Sequence, residues 1–239
     1  MTLVRAPRWL LIGNSRWHWA ERTSEGKLRG WDRRPGPAGV EVAPLAWAAV
    51  GPPPDPALCP PERQVGLAAV PLLGCPPWLG VDRALAGWQA WREVGEAVLV
   101  VDAGTVLSLT RVDGEGRFRG GRLVAGLRLQ LEAMAQGTAR LGAILAEPRQ
   151  PPHGAAESLE EADWPADTAA AMRVGVEAAL AAAVLDAAQL ANSRTVVLTG
   201  GDAPMLLERC TTRLGELGLR AVHRPLLCLR GLAELRPEG

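Results

Sequence analysis

VLVVDAGTVLSLTRVD, residues 98–113, is the stretch on which the fold turns. It opens with an unbroken apolar run, as a strand covered on both faces requires. Asp102-Ala103-Gly104-Thr105 then interrupts the run, and a second strand-like segment begins. Two readings of the interruption stand open. Asp-x-Gly is ordinary hairpin turn chemistry. Equally, a glycine there bares backbone N–H groups to an anion, threonine adds a hydroxyl, and the carboxylate is the hard oxygen that magnesium takes beside phosphate.

The same theme occurs nearer the start. Residues 8–12 (RWLLI) and 16–20 (RWHWA) read as short strands joined by Gly13-Asn14-Ser15. Strand, glycine-containing polar turn, strand therefore occurs twice, a duplication of supersecondary structure rather than a short-period repeat. It predicts an α/β protein of two mixed-sheet half-domains around a cleft, with both turns pointing into the cleft. The expected halves are residues 1–96 and 97–239.

Between and after these turns the pattern is coarser. Residues 51–64 (GPPPDPALCPPERQ) exclude regular structure, because proline removes donors and fixes φ. VGLAAVPLL (65–73) reads as a strand. VDRALAGWQAWREV (81–94) reads as a helix, with Leu85, Trp88 and Trp91 at helical spacing. Residues 127–146 and 167–191 are long helical patterns, the second with Asp167 placed as its cap. TVVLTGGDA (195–203) is strand, turn and helix start, and CTTRLGELG ends as a helix. Residues 147–165 read as a mobile polar loop.

Composition narrows the class. The chain has 239 residues, 26 basic against 26 acidic, so no net field favours nucleic acid or a membrane surface. No apolar run suggests a bilayer span, and the start lacks a signal-peptide pattern, so a cytoplasmic protein is expected. Cys59, Cys75, Cys210 and Cys228 are too scattered for a zinc site and are expected to be reduced. Nine tryptophans accompany one phenylalanine and no tyrosine, which excludes chemistry that needs a phenol.

Taken in order, IGNSRWHWA (12–20), LGVDRALAGW (79–88), VVDAGTVLSLT (100–110), GGRLVAGLRLQLEAMAQGTARL (120–141), DTAAAMRVGV (167–176) and LTGGDA (198–203) resemble the type III pantothenate kinases. The resemblance implies a duplicated ribonuclease H-like (actin-like ATPase) fold and ATP-dependent phosphorylation of pantothenate, the first step toward coenzyme A. It further implies Mg2+, a monovalent cation (K+ or NH4+), and a homodimer with the substrate site near the interface.

By the same resemblance Asp82 is the catalytic base. Gly80, Arg83 and Thr168 contact pantothenate, Thr168 from the other subunit. Gly13, Asn14, Ser15, Arg16, His18, Gly104, Thr105, Gly200 and Gly201 bind nucleotide, and Asp102 holds the metal. Three positions differ from the family pattern. Leu11 stands where its first motif carries an aspartate, His18 where a lysine is common, and Ala125 where a proline is usual. Leu11 keeps a second reading open, a non-catalytic regulatory relative; a kinase of the same superfamily acting on another small substrate is a third.

Overall fold

The computed structural model describes residues 7–36, 42–53, 56–142 and 163–237. Its first sheet holds β1 (Arg8–Ile12), β2 (Trp17–Arg22), β3 (Leu28–Arg33) and β4 (Ala46–Ala49) in the order β3-β2-β1-β4. The second holds β5 (Val98–Ala103), β6 (Val106–Val112), β7 (Phe118–Ala125), β8 (Thr195–Thr199) and β9 (Arg220–His223) in the order β7-β6-β5-β8-β9. β1 pairs antiparallel with β2 and parallel with β4, and β5 repeats this with β6 and β8. The duplication expected from the two turns is thus repeated strand for strand.

Among the described residues are five α-helices: α1 (Val81–Val94), α2 (Leu127–Gly137), α3 (Thr168–Leu190), α4 (Ala203–Glu216) and α5 (Leu227–Leu235). α1 and α5 fill the space between the sheets. There Leu85, Trp88, Leu229 and Leu232 meet Trp9 and Leu11 of β1 and Val98 and Val100 of β5. On the far side of the second sheet, Leu99 and Val101 pack with α3 and α4. That two-sided burial is why residues 98–101 carry no polar residue. On the outer face of the first sheet, Leu10, Ile12, Trp17, Trp19 and Trp47 form a third cluster with Cys59.

Side chains alternate along a strand, so Asp102 shares the inter-sheet face with Val98 and Val100, and Leu11 shares it with Trp9. Each stands two residues before its turn glycine, Gly104 or Gly13. The two positions are counterparts in the duplicated halves.

Several sequence expectations need correction. Residues 65–73 form no strand: Leu67–Ala69 is a 3-10 turn, and Leu73 makes a single bridge to Arg117. Val65, Val70 and Leu72 are apolar because they plug the core beside α1, and Pro71 could not donate to a ladder. β3 escaped notice because it is an edge strand with a charged sequence, LRGWDR, as exposed edges favour. β9 and α5 were also unread.

α3 is long and apolar enough, by length and composition, to cross a membrane, contrary to the expectation that no segment would be. It lays Val176, Leu180 and Val184 on the second core, and only 28% of its most apolar window is buried. The predicted helix beyond residue 142, the loop at 147–162 and His153 lie outside the described residues. Among the described residues all four cysteines are free thiols.

Candidate active site in the inter-sheet cleft

Three chain segments converge where the sheets face each other. The ends of β1 and β5 deliver the two glycine turns, and the turns touch: Ser15 Oγ and Thr105 Oγ1 are 2.6 Å apart. Gly13 N–H donates to the Arg16 carbonyl (3.0 Å), closing the first turn. The third contribution comes from helix N-termini. Asp82 lies in the first turn of α1, and Cys228 in the first turn of α5. A cavity of about 390 Å³ opens there, lined by Leu11, His18 and Asp32 of the first sheet, Asp102 and Gly200 of the second, and Cys228.

Asp82 is held in place locally. Its Oδ1 accepts the Arg83 backbone N–H at 2.7 Å, folding the carboxylate back over the start of the helix. This needs glycine at position 80, since a Cβ there would stand 2.5 Å from that oxygen. Arg83 is directed across to the second sheet, where its Nε donates to Thr110 Oγ1 (3.2 Å) and its guanidinium lies 5.8 Å from the Phe118 ring.

The electrostatics of the cleft are those of crowded acids without a cation. Burial pushes the Asp102 carboxyl up to about 7, and the negative charge of Asp82 adds to the rise. Burial likewise raises Asp82, opposed by the Arg83 backbone N–H and guanidinium. Between them Cys228 donates Sγ–H to the Asp82 carbonyl (3.5 Å), and burial with both acids drives its thiol well above the ordinary value. Asp82 therefore lies close enough for its charge to act on Asp102, and Cys228 feels both acids.

The turn after β8 is built against Asp102. Gly200 has φ +91°, which L side chains rarely adopt, and a Cβ there would stand 2.7 Å from Asp102 Oδ1 and 2.5 Å from the Ala103 carbonyl. Asp202 N–H donates to that carbonyl at 2.9 Å and starts α4. Burial raises the Asp202 carboxyl, while Arg173 and Arg16 lower it, so Arg16 from the first half acts across the cleft mouth.

Of the residues expected from the sequence, His18, Asp102 and Gly200 line the cavity. The turn of Gly13, Ser15 and Arg16 and that of Gly104 and Thr105 touch through Ser15 and Thr105, and Asp82 lies near enough to act on Asp102. Asn14 is exposed beside them, and Gly201 is exposed beyond Gly200. Thr168 is exposed at the head of α3 and does not line the cavity. Asp32, Thr110 and Cys228 were missed by sequence reading. Each sits in a segment without a motif, and only strand register or helix packing brings it here.

Among the described residues no group of three or more His, Cys, Asp or Glu side chains could cage a metal. The half-buried Asp102 carboxylate is a hard oxygen donor of the kind that Mg2+ would take together with phosphate oxygens.

Comparison with known proteins agrees with this geometry. Residues 72–189 match the family model described as type III pantothenate kinase. The chain is 34% identical over 251 residues to a type III pantothenate kinase of Synechococcus elongatus, covering 95% of this chain and 94% of that one. It is 36% identical over 241 residues to one from Synechococcus sp. strain JA-3-3Ab, covering 97% and 93%. Its fold is similar to the activator of the 2-hydroxyisocaproyl-CoA dehydratase from Clostridium difficile with bound ADPNP. That likeness has a TM-score of 0.53 over 97% of this chain and 93% of the other, at 10% identity.

Proposed function

The chain belongs to the type III pantothenate kinase family, and on that premise we propose how its cleft transfers the phosphoryl group. The enzyme phosphorylates pantothenate with ATP as donor, a step of coenzyme A biosynthesis. Phosphoryl transfer asks for positioning and charge neutralisation more than for covalent chemistry. The two glycine turns offer backbone and hydroxyl donors to the ATP phosphates from opposite halves. Asp82 accepts the proton of the attacking hydroxyl; its raised pKa, set first by burial, makes it a better base than an exposed aspartate. Arg83, anchored by Thr110, faces the substrate from the same helix start.

Asp102 would hold Mg2+, which supplies charge neutralisation on the phosphates when bound. Its carboxyl, near 7 without a cation, is poised to ionise when one arrives. The resemblance adds K+ or NH4+ at the turn of Asp102 and Thr105. We assign Thr168 to pantothenate in the partner subunit of a homodimer. Support comes from α3, whose exposed face carries Ala171, Gly175, Ala178 and Ala182, small residues that permit close helix approach.

One observation carries this reading: the glycine turns after β1 and β5 meet, with Ser15 Oγ 2.6 Å from Thr105 Oγ1, while the Asp82 charge at the start of α1 lies near enough to Asp102 to raise its carboxyl. The test is ATP-dependent phosphorylation of pantothenate by the pure protein, where Asp82→Asn should lower kcat about 10²- to 10⁴-fold. A variant with unchanged kcat would remove Asp82 from the role. Leu11 in the cavity wall favours a second reading, a regulatory relative that binds without turnover. Absence of phosphorylated product alongside measurable ATP binding would establish that one.

A further inference from the structure

Leu11 is the first-half counterpart of Asp102, so the first half brings no acid to hold an ion at that point. The row of residues across the sheet shows what it brings instead. Leu11 lies opposite His18 on β2, and His18 lies opposite Asp32 on β3, so the three side chains project from one face of the sheet. All three line the cleft that Asp102 enters from the other side. His18 Nδ1 is 2.8 Å from Asp32 Oδ1, and Arg16 Nη1 is 3.2 Å from Asp32 Oδ2.

We infer that Asp32 is a positioning residue for ATP binding, fixing the imidazole of His18 so that its second nitrogen meets the nucleotide phosphates. This rests on the nucleotide reading of the cleft given above. A carboxylate only accepts, so Nδ1 must carry the proton of the bond to Asp32. The ring is thereby turned with Nε2 toward the first phosphate turn; a Cβ built on Gly13 would lie 3.6 Å from that nitrogen. With a proton on each nitrogen, His18 would donate at both ends, to Asp32 and to a phosphate oxygen.

The ion pairs of Asp32 with Arg16 and His18 are both exposed, at 64% for Arg16, 40% for His18 and 45% for Asp32, and exposed pairs contribute little to stability. The short bond to His18 is the one that orients a ring. The two halves then neutralise phosphate by different means. The second half uses an acid that can share a cation, and the first uses side-chain cations held by an acid two strands away. An imidazole needs such a holder, because its two nitrogens must point in chosen directions. A lysine, with three donors on a flexible stem, does not.

The difference supplies the test. Kd for a non-hydrolysable ATP analogue, measured by calorimetry, and KM for ATP in the kinase assay would be compared for four proteins: the natural chain, Asp32→Asn, His18→Lys, and the double variant. Asp32→Asn should weaken analogue binding and raise KM for ATP about tenfold, leaving KM for pantothenate unchanged. His18→Lys should bind the analogue nearly as well as the natural chain. In that background Asp32→Asn should cost less than about threefold, a coupling that a merely structural role would not produce. Equal losses in both backgrounds, or a Kd within twofold of the natural chain in Asp32→Asn, would overturn the assignment. The binding measurement needs no turnover, so failure of the kinase reading would show separately as missing product with normal Kd.

Discussion

Asp102 shows at the scale of one residue how a site is set against stability. Its carboxyl titrates near 3.8 in an unfolded chain and about 7 in the folded one. Between those values the folded state holds a proton that the unfolded state has released. Its contribution is therefore most favourable below about pH 4, declines as pH rises, and levels off above about pH 7 with a buried charge in place. Asp102→Asn removes that penalty. Without nucleotide or metal, its melting temperature should exceed that of the natural chain by several degrees at pH 8 and by much less at pH 5, while phosphorylation is lost. Differential scanning fluorimetry at the two pH values checks the sign. Gly80→Ala makes the opposite trade. The backbone there, φ −59° and ψ 136°, suits alanine, so folding should be little affected. The new Cβ would nevertheless push Asp82 Oδ1 aside, and kcat should fall at least about tenfold if the base must sit where it does.

Elements succeed or fail as readable units according to what covers them. α1 runs Val81–Val94, as its helical spacing required, although residues 84–90 are buried on every side between the sheets. α3 begins at Thr168 because Asp167 accepts the Ala170 N–H (2.8 Å), as the capping pattern required. Asp167→Ala should cost about 1 kcal/mol. That corresponds to a fall of roughly 2–4 °C in melting temperature for a protein of this size. If Thr168 serves pantothenate, the frayed helix start should also raise KM for pantothenate more than KM for ATP, which steady-state kinetics would separate. β3 and residues 65–73 misled for opposite reasons. A charged edge strand resembles a loop, and a loop that plugs a core resembles a strand, because hydrophobic pattern reports burial before it reports backbone hydrogen bonding.

Across the whole molecule, the halves 1–96 and 97–239 that we propose as the two jaws of the cleft exchange a part. α5 arises after β9 of the second sheet and packs with α1 and β1 of the first. Its Cys228 end closes the cavity, so a cut at residue 96 would leave the first half without that wall. The homodimer we propose places Thr168 of one subunit in the site of the other. Mixing Asp82→Asn with Thr168→Val subunits should then restore activity, up to about a quarter of the natural level if subunits pair at random in two-fold dimers. No recovery after subunit exchange would mean that each chain supplies its own site. The sequence alone determined the repeated strand-turn-strand units, the helix starts at 81 and 168, and the ordered motifs. Those are set by near neighbours in the chain: turn chemistry, capping and the burial period of single elements. Only the tertiary structure decided that Leu11 and Asp102 both face the space between the sheets, that the Asp82 charge raises Asp102, and that Asp32 holds His18. Strand register and the packing of helix ends bring those groups together, and both depend on contacts between residues far apart in sequence.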